Sequence, residues 1–156
     1  MTDADLNDLP DDPTDRLHVL AHAWAASSAS PVIIHANDMP ALIVAVAEPG
    51  PLIAMKLQSI MNRGAAKEGT DLLDIVRLCL DPACGPRART QLIAAHVQLR
   101  NDAALHAKRW FDQHADRSLR LVRAVPEGRD TQLDDLHLVG ELLQTALHAA
   151  ASSEGS

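Results

Sequence analysis

The sequence predicts a mostly helical α+β domain, in which a short antiparallel hairpin is followed by a bundle of about five helices. Ala occurs 26 times and Leu 22 times in 156 residues, whereas the aromatic residues are two Trp and one Phe. That balance favours helix over sheet. β-branched residues form runs in only one region, at 32–34 and 42–46, with the turn-forming sequence Asn-Asp-Met-Pro between them. Two such runs around a turn are typical of a hairpin.

The length of 156 residues corresponds to a single domain with a sizeable core. We expect the acidic segment 1–13 to be flexible, the domain to cover 14–151 and the tail 152–156 to be disordered. Within the domain, the expected parts are a helix with the hairpin (14–48), a motif-bearing helical pair (50–80) and a helical bundle (86–151).

Composition also limits the location of the protein. No run approaches the roughly 18 apolar residues of a membrane span, so an integral membrane protein is not expected. The chain does not begin with a positively charged segment followed by an apolar one, so we expect no signal peptide. Cys79 and Cys84 cannot build a disulfide framework and predict a reduced, cytoplasmic pair, with Cys79 buried. Arg outnumbers Lys 11 to 3, as in proteins from GC-rich bacterial genomes.

The first helix is expected to begin near Thr14, with Thr14 or Asp15 as its cap, and to end before Pro31. The hairpin follows. Because an isolated hairpin is marginally stable in water, we expect it to pack on helices or on further strands. Its unpaired edges leave room for a partner or a second copy of the chain to complete a sheet.

Later helices are placed by their proline, glycine and capping residues. Pro51 suits the first residue of a helix that Gly64 ends, and Thr70 suits the cap of the next one. Three more helical stretches are predicted near 87–98, 101–115 and 131–151. The apolar residues between 119 and 125 need burial, but that segment is too short to type.

The helical pair at 50–80 brings basic and acidic side chains together. One stripe of its first helix consists of Leu52, Lys56, Ser59 and Arg63. Lys67 follows, and Asp71 and Asp74 stand three residues apart on the second helix. Such a polar seam could hold a triphosphate through its cations, with the carboxylates orienting the cations or helping a metal. The alternative is a purely structural row of ion pairs between two helices.

This pattern resembles the C-terminal motifs of the AbiEii/AbiGii nucleotidyltransferase toxin family, which includes the MenT toxins. The resemblance covers roughly residues 32–80. It implies that Lys56 binds nucleotide phosphates, that Arg63 and Lys67 add to the positive field, and that Asp71 and Asp74 act on the catalytic side by positioning those bases or an acceptor. The implied reaction transfers a nucleotide from an NTP with Mg²⁺ to an RNA hydroxyl. The implied partners are a cognate antitoxin and an RNA acceptor.

One part of the family pattern is missing. The family's metal-binding unit is a Gly-Ser or Gly-Gly turn followed by Asp-x-Asp, and two-metal transfer needs those carboxylates. Gly50 stands between prolines, and Asp3 and Asp5 follow no strand-forming residues. We therefore expect a chain that corresponds to the C-terminal part of such an enzyme and is inactive alone, with the metal-binding half upstream or on a partner.

The alternative function is a non-catalytic helical interaction module, or an antitoxin-like regulator. It predicts that the seam is merely paired and that an apolar patch is exposed elsewhere. Nucleotide binding instead predicts an open cleft at Lys56 with no acid within hydrogen-bond reach. A homo-oligomer is compatible with both functions.

Two further clusters have alternative interpretations. His18 and His22 could share a metal with His35, but two half-buried or surface histidines on an amphipathic helix are the expected alternative. Trp110 and Phe111 suit the core, or else a platform on which a nucleic-acid base stacks. The cations that would then contact phosphates are Lys108, Arg109, Arg117, Arg120 and Arg123.

Overall fold

The computed structural model describes residues 8–60 and 64–149 and confirms the mostly helical α+β class. The described elements, in chain order, are α1 (Pro13–Ser28), β1 (Ser30–Ile34), β2 (Leu42–Val46), α2 (Pro49–Ser59), α3 (Ala65–Leu80), α4 (Cys84–Ile93), α5 (Val97–Lys108), a π-helical turn (Arg109–Gln113), α6 (Ala115–Ala124), a 3₁₀ turn (Pro126–Gly128) and α7 (Leu133–Leu147). None of the described helices combines the length and apolar character that a membrane crossing requires.

The helices pack around α2 and α3, which contact each other. Helices α1, α4 and α5 pack against α2, while α4, α6 and α7 pack against α3. The largest side chains that are fully buried in this core are Phe111, Leu17, Leu20, Ile53, Leu57, Ile60, Leu72, Ile75, Leu92, Leu136, Leu143 and Val122. Fully burying one such aliphatic side chain stabilises the fold by about 1.5–3 kcal/mol, so α2 is held firmly in place.

The two strands pair antiparallel with Val32 opposite Val44 and Ile34 opposite Leu42. In the connecting loop Asp38 adopts a left-handed backbone with φ of 67°, a conformation that Asp tolerates in turns. None of the ten strand residues is buried. The expectation that the hairpin packs on helices or further strands is therefore wrong. The described helices bury their apolar faces against one another, and residues 30–46 project as an arm, called the β-arm below.

Glu48 fastens the base of the β-arm to the helices. Its carboxylate accepts a hydrogen bond from the Ser30 hydroxyl. It also accepts two hydrogen bonds of 2.8 Å from the Arg87 guanidinium. Gln91 donates to the same carboxylate, and its amide oxygen accepts the Gly50 N–H at 2.8 Å. The bonds from Arg87 and then Ser30 lower the pKa of Glu48 to about 2.

One predicted helix cap and two predicted helix starts are wrong, whereas α1 begins at Pro13, as expected near Thr14. Asp12, rather than Thr14 or Asp15, caps α1, because its carboxylate accepts the N–H groups of both those residues. Helix α2 begins at Pro49 instead of Pro51, and proline is equally suitable there. Helix α3 begins at Ala65 after Gly64, whose φ of 77° turns the chain. Thr70 therefore lies inside α3.

The C-terminal half is divided differently from the prediction. The chain breaks at 94–96, because the His96 ring accepts the N–H of Gln98 and starts α5 there. The uncertain segment 119–125 belongs mostly to α6, whose Val122 is fully buried. A π-helical turn joins α5 to α6. The buried Ser118 hydroxyl of α6 donates to the Trp110 carbonyl at 2.7 Å and so ties α6 to this turn.

Candidate functional site

The predicted polar seam lies between α2 and α3, and Lys56 is its centre. The ammonium donates to Asp74 Oδ2 at 2.7 Å and to Asp71 Oδ1 at 3.1 Å. Lys56 lies beside the buried Ile53 and Leu57 on α2, at the edge of the buried face. Packing of those two residues therefore turns the ammonium towards α3.

Asp71 is the buried member of the seam, with 4% of its side chain exposed against 35% for Asp74. Its second oxygen accepts the Ser59 hydroxyl at 3.1 Å, and that hydroxyl also lies 3.1 Å from the Lys56 carbonyl. Ser59 belongs to the stripe read from the sequence, where it had no assigned role. In the structure it helps to orient the carboxylate that Lys56 contacts.

The electrostatics of the seam favour a paired, charged lysine. Burial alone would lower the pKa of Lys56, but the hydrogen bonds with Asp74 and Asp71 outweigh that effect and raise it above the ordinary value. One ammonium faces two carboxylates, so these three side chains carry a net charge of about −1.

A groove of about 460 Å³ runs beside the seam, between α1 and α2. Lys56 and Ser59 form part of its wall, together with His18, His22 and Gln58. The His18 ring hydrogen-bonds to the Gln58 amide oxygen at 3.2 Å, and the His22 ring to the His18 carbonyl at 2.8 Å. Both helices therefore contribute polar side chains to the groove, and its histidines already have partners within the protein.

The seam does not fit the Mg²⁺ that the family resemblance implies. The Lys56 ammonium sits between Asp71 and Asp74, where a metal ion would need both carboxylates. Across residues 8–60 and 64–149, no group of three or more His, Cys, Asp or Glu side chains is placed to hold a metal. The same finding weighs against a metal shared by His18, His22 and His35.

Of the other predicted site residues, Lys67 shows no contact with the seam. Lys67 is exposed in the first turn of α3. Arg63 lies outside the described residues. In the part of the chain that the structure describes, the predicted basic stripe is thus represented at the seam by Lys56 alone.

Trp110 and Phe111 lie in the core, with 4% and 1% of their surfaces exposed. The guanidinium carbons of Arg109 and Arg117 lie 5.3 and 5.8 Å from the Trp110 ring centroid. Arg117 also pairs with Glu68 at 2.9 Å. A base has no open ring on which to stack, so the stacking interpretation is wrong and the core interpretation is confirmed.

Two features of the structure were not found in the sequence. The first is the ion pair between Arg16 of α1 and Asp102 of α5, which has two hydrogen bonds of 2.8 Å. A charge at position 16 of an amphipathic helix was the only available signal. The second is the exposure of the β-arm. In an ordinary hairpin, one face of the strands would pack against a core. Its large exposed apolar side chains are Val32, Ile33, Ile34, Met39, Leu42, Ile43 and Val46.

Comparison of the chain with protein-family models, with curated proteins and with solved structures found no match. The resemblance to the AbiEii/AbiGii family therefore stays a prediction. The function has to be argued from the seam and the β-arm themselves.

Proposed function

We propose that this chain is a non-catalytic interaction module that binds another protein strand through its β-arm. The exposure of the arm carries the proposal. Ile33 and Ile43 face each other across the strands with 58% and 70% of their surfaces exposed. Contiguous apolar patches of this kind on a soluble domain mark contact sites.

The state of the seam supports the same function. A nucleotide-binding site would need a lysine in the seam that is available to phosphates, whereas an interaction module would not. Lys56 has both carboxylates within hydrogen-bond reach, which fits the interaction module. Exposed ion pairs contribute little to stability. Removing the cation that faces a buried carboxylate such as Asp71 is costly, so this pair helps to hold the two helices together. The seam then joins α2 to α3 and so holds in place the helix that follows the arm.

Addition of a strand to the open edge of the hairpin is the mode of binding that fits the arm. Main-chain hydrogen bonds would provide affinity, and the alternating side chains would provide specificity. A cytoplasmic location belongs to the proposal, since both cysteines are free thiols, as is usual for proteins of reducing compartments. An antitoxin-like or regulatory role is the biological setting that we propose.

Site-specific photo-crosslinking in cells tests this function. Benzoyl-phenylalanine replaces Ile43 on the arm or, as the matched control, Val19, which is an exposed apolar residue of α1. We expect a covalent protein product from position 43 and little from position 19, with its components identified by mass spectrometry. Equal yields from the two positions, or no product from position 43, would refute the proposal.

A second candidate function is nucleotide binding of the AbiEii/AbiGii kind, with an NTP and Mg²⁺ as ligands and an RNA hydroxyl as acceptor. The observation that favours it is the groove of about 460 Å³ in which Lys56 and Ser59 lie side by side. A nucleotide would have to displace Asp71 and Asp74 from the ammonium. The missing half or a cognate antitoxin would be its partner.

Calorimetry with ATP, CTP, GTP and UTP in the presence of Mg²⁺ tests the second candidate. It requires saturable binding by the wild type that is lost in Lys56→Ala and retained in Arg129→Ala, which removes an exposed base with no assigned role. Absence of binding for all four nucleotides would remove this candidate and leave the interaction module.

A further inference from the structure

We infer that the partner of the β-arm is the β-arm of a second copy of this chain, with β2 pairing antiparallel to β2 about a two-fold axis at Val44. The inference rests on the proposed interaction function and names its partner. It would create a four-stranded sheet from two hairpins. Three or more strands are what a small sheet needs for stability in water, and the described residues contain no further strand.

The two edges of the hairpin differ in their ability to pair. Pro31 has no backbone N–H, so β1 lacks one donor. Every residue of β2 retains its N–H, and the strand has the sequence Leu-Ile-Val-Ala-Val. It contains no proline, glycine or charged residue, which are the features that protect natural edge strands from pairing. The edge of β2 is therefore the one available for another strand.

The sequence of β2 suits pairing with itself. With Val44 opposite Val44 of the second copy, Leu42 faces Val46 and Ile43 faces Ala45, so that every cross-strand pair is apolar. Both copies use the same patch, as a two-fold interface requires. Successive side chains of each strand point to opposite faces of the hairpin. One face of the resulting sheet would carry, from each copy, Val32, Ile34, Leu42, Val44 and Val46.

The arm brings few charges to the other copy in this register. Asp38 in the tip loop is the one acidic residue between positions 30 and 46, and no Lys or Arg occurs there. Antiparallel pairing brings the tip of one arm towards the base of the other, where Arg87 is 61% exposed beside Glu48. The strands themselves bring no like charges together at the axis.

Engineered cysteines test the register in the full-length chain, in a Cys84→Ser background. Directly opposed residues in antiparallel strands have Cα atoms about 4.5–5.5 Å apart, within the range of a disulfide. Val44→Cys should therefore give a covalent dimer of doubled mass under mild oxidation. Leu42→Cys is the matched control, because residues 42 of the two copies would be about 14 Å apart along the strands.

If disulfides formed only by random collisions between molecules, the exposure of the two positions would predict the opposite order of cross-linking. Leu42 is 62% exposed, whereas Val44 is only partly exposed, so collisional disulfides would form faster at position 42. We expect at least a tenfold excess of dimer for Val44→Cys, and efficient cross-linking when Leu42→Cys is mixed with Val46→Cys. Circular dichroism of each variant confirms that it is folded.

Two outcomes would overturn this inference. Equal cross-linking at positions 42 and 44 would exclude the register, and monomers from both variants would exclude self-pairing. If both cysteine variants stay monomeric and the photo-crosslinker at position 43 captures a different protein, the proposed interaction function stands and only its partner changes. If neither method gives a product, both proposals fail.

Discussion

Lys56 of α2 donates a 2.7 Å hydrogen bond to Asp74 of α3, so the lysine that the sequence marked as a phosphate ligand is already paired within the fold. Asp71 takes a second hydrogen bond from the same ammonium. The seam is therefore first a structural link between two central helices. Substitution of Lys56 should therefore lower the stability of the fold, whether or not the protein binds a nucleotide.

Lys56→Met should lower the free energy of unfolding by about 1–3 kcal/mol, because the buried Asp71 carboxylate loses a hydrogen-bond donor while the methionine keeps the aliphatic stem packed. Urea unfolding followed by tryptophan fluorescence measures the change. Lys67→Met, at an exposed position in α3, is the control and should lie within about 0.5 kcal/mol of the wild type. Equal effects of the two substitutions would contradict the role assigned to the seam.

Val44→Lys should weaken the inferred dimer at least tenfold, because it places two ammonium groups opposite each other at the two-fold axis. Sedimentation velocity over a series of protein concentrations gives the dissociation constant. Val19→Lys adds the same charge to an exposed apolar site on α1 and should leave the dimer unchanged. An unaltered constant for Val44→Lys would place the contact elsewhere.

The attachment of the arm should weaken at acidic pH. The folded protein holds the pKa of Glu48 at about 2, below its ordinary value of 4.5. Unfolded chains therefore bind this proton first, and the contribution of Glu48 to stability is complete above pH 4.5 and is lost as pH falls from 4.5 towards 2. The stability difference between wild type and Glu48→Gln should shrink over this window. A difference that is constant down to pH 2.5 would disprove the assignment.

Cys79 should be unreactive in the folded protein. Burial raises the pKa of its thiol to about 12, and the thiolate is the form that reacts. In Cys84→Ser, labelling with a disulfide reagent at pH 8 should require unfolding in urea. In Cys79→Ser, the partly exposed Cys84 should be labelled in the native state. Rapid native labelling of Cys79 would show that α3 is not packed as described.

Gly69→Ala should destabilise the protein by about 1–3 kcal/mol through overpacking. A Cβ atom at this position would lie 2.4 Å from the Leu121 carbonyl oxygen of α6, so the two helices would have to move apart. Replacing Gly by Ala in a helix normally stabilises it, and the sign of the effect is therefore the test. Lys67→Ala in the same helix is the control.

Local patterns predicted the fold class, the hairpin and the seam, because each depends on residues close together in the chain. The spacing of Lys56 from Asp71 and Asp74 requires only two consecutive helices to bring them together. The start of α3 was misplaced because Thr70 looks like a cap, while the actual turn depends on the backbone of Gly64. Capping by His96 and the π-helical turn at Trp110 depend on contacts that the hydrophobic pattern does not encode.

The exposure of the β-arm could not be read from the sequence. Apolar runs such as Val-Ile-Ile predict burial, and nothing in them says whether the burying surface belongs to the same chain. The helices build their core from one another's side chains, and none of the strand residues takes part in it. Asp102 was similarly overlooked, because its partner Arg16 is distant in sequence.

Hydrogen exchange of the β2 amides, measured over a dilution series, tests the central claim most directly. We expect the amides of residues 42–46 that point away from β1 to exchange slowly at high protein concentration and much faster on dilution. The amides of the buried part of α3 should exchange slowly at every concentration. Fast exchange of the β2 amides that does not depend on concentration would contradict the pairing of two arms.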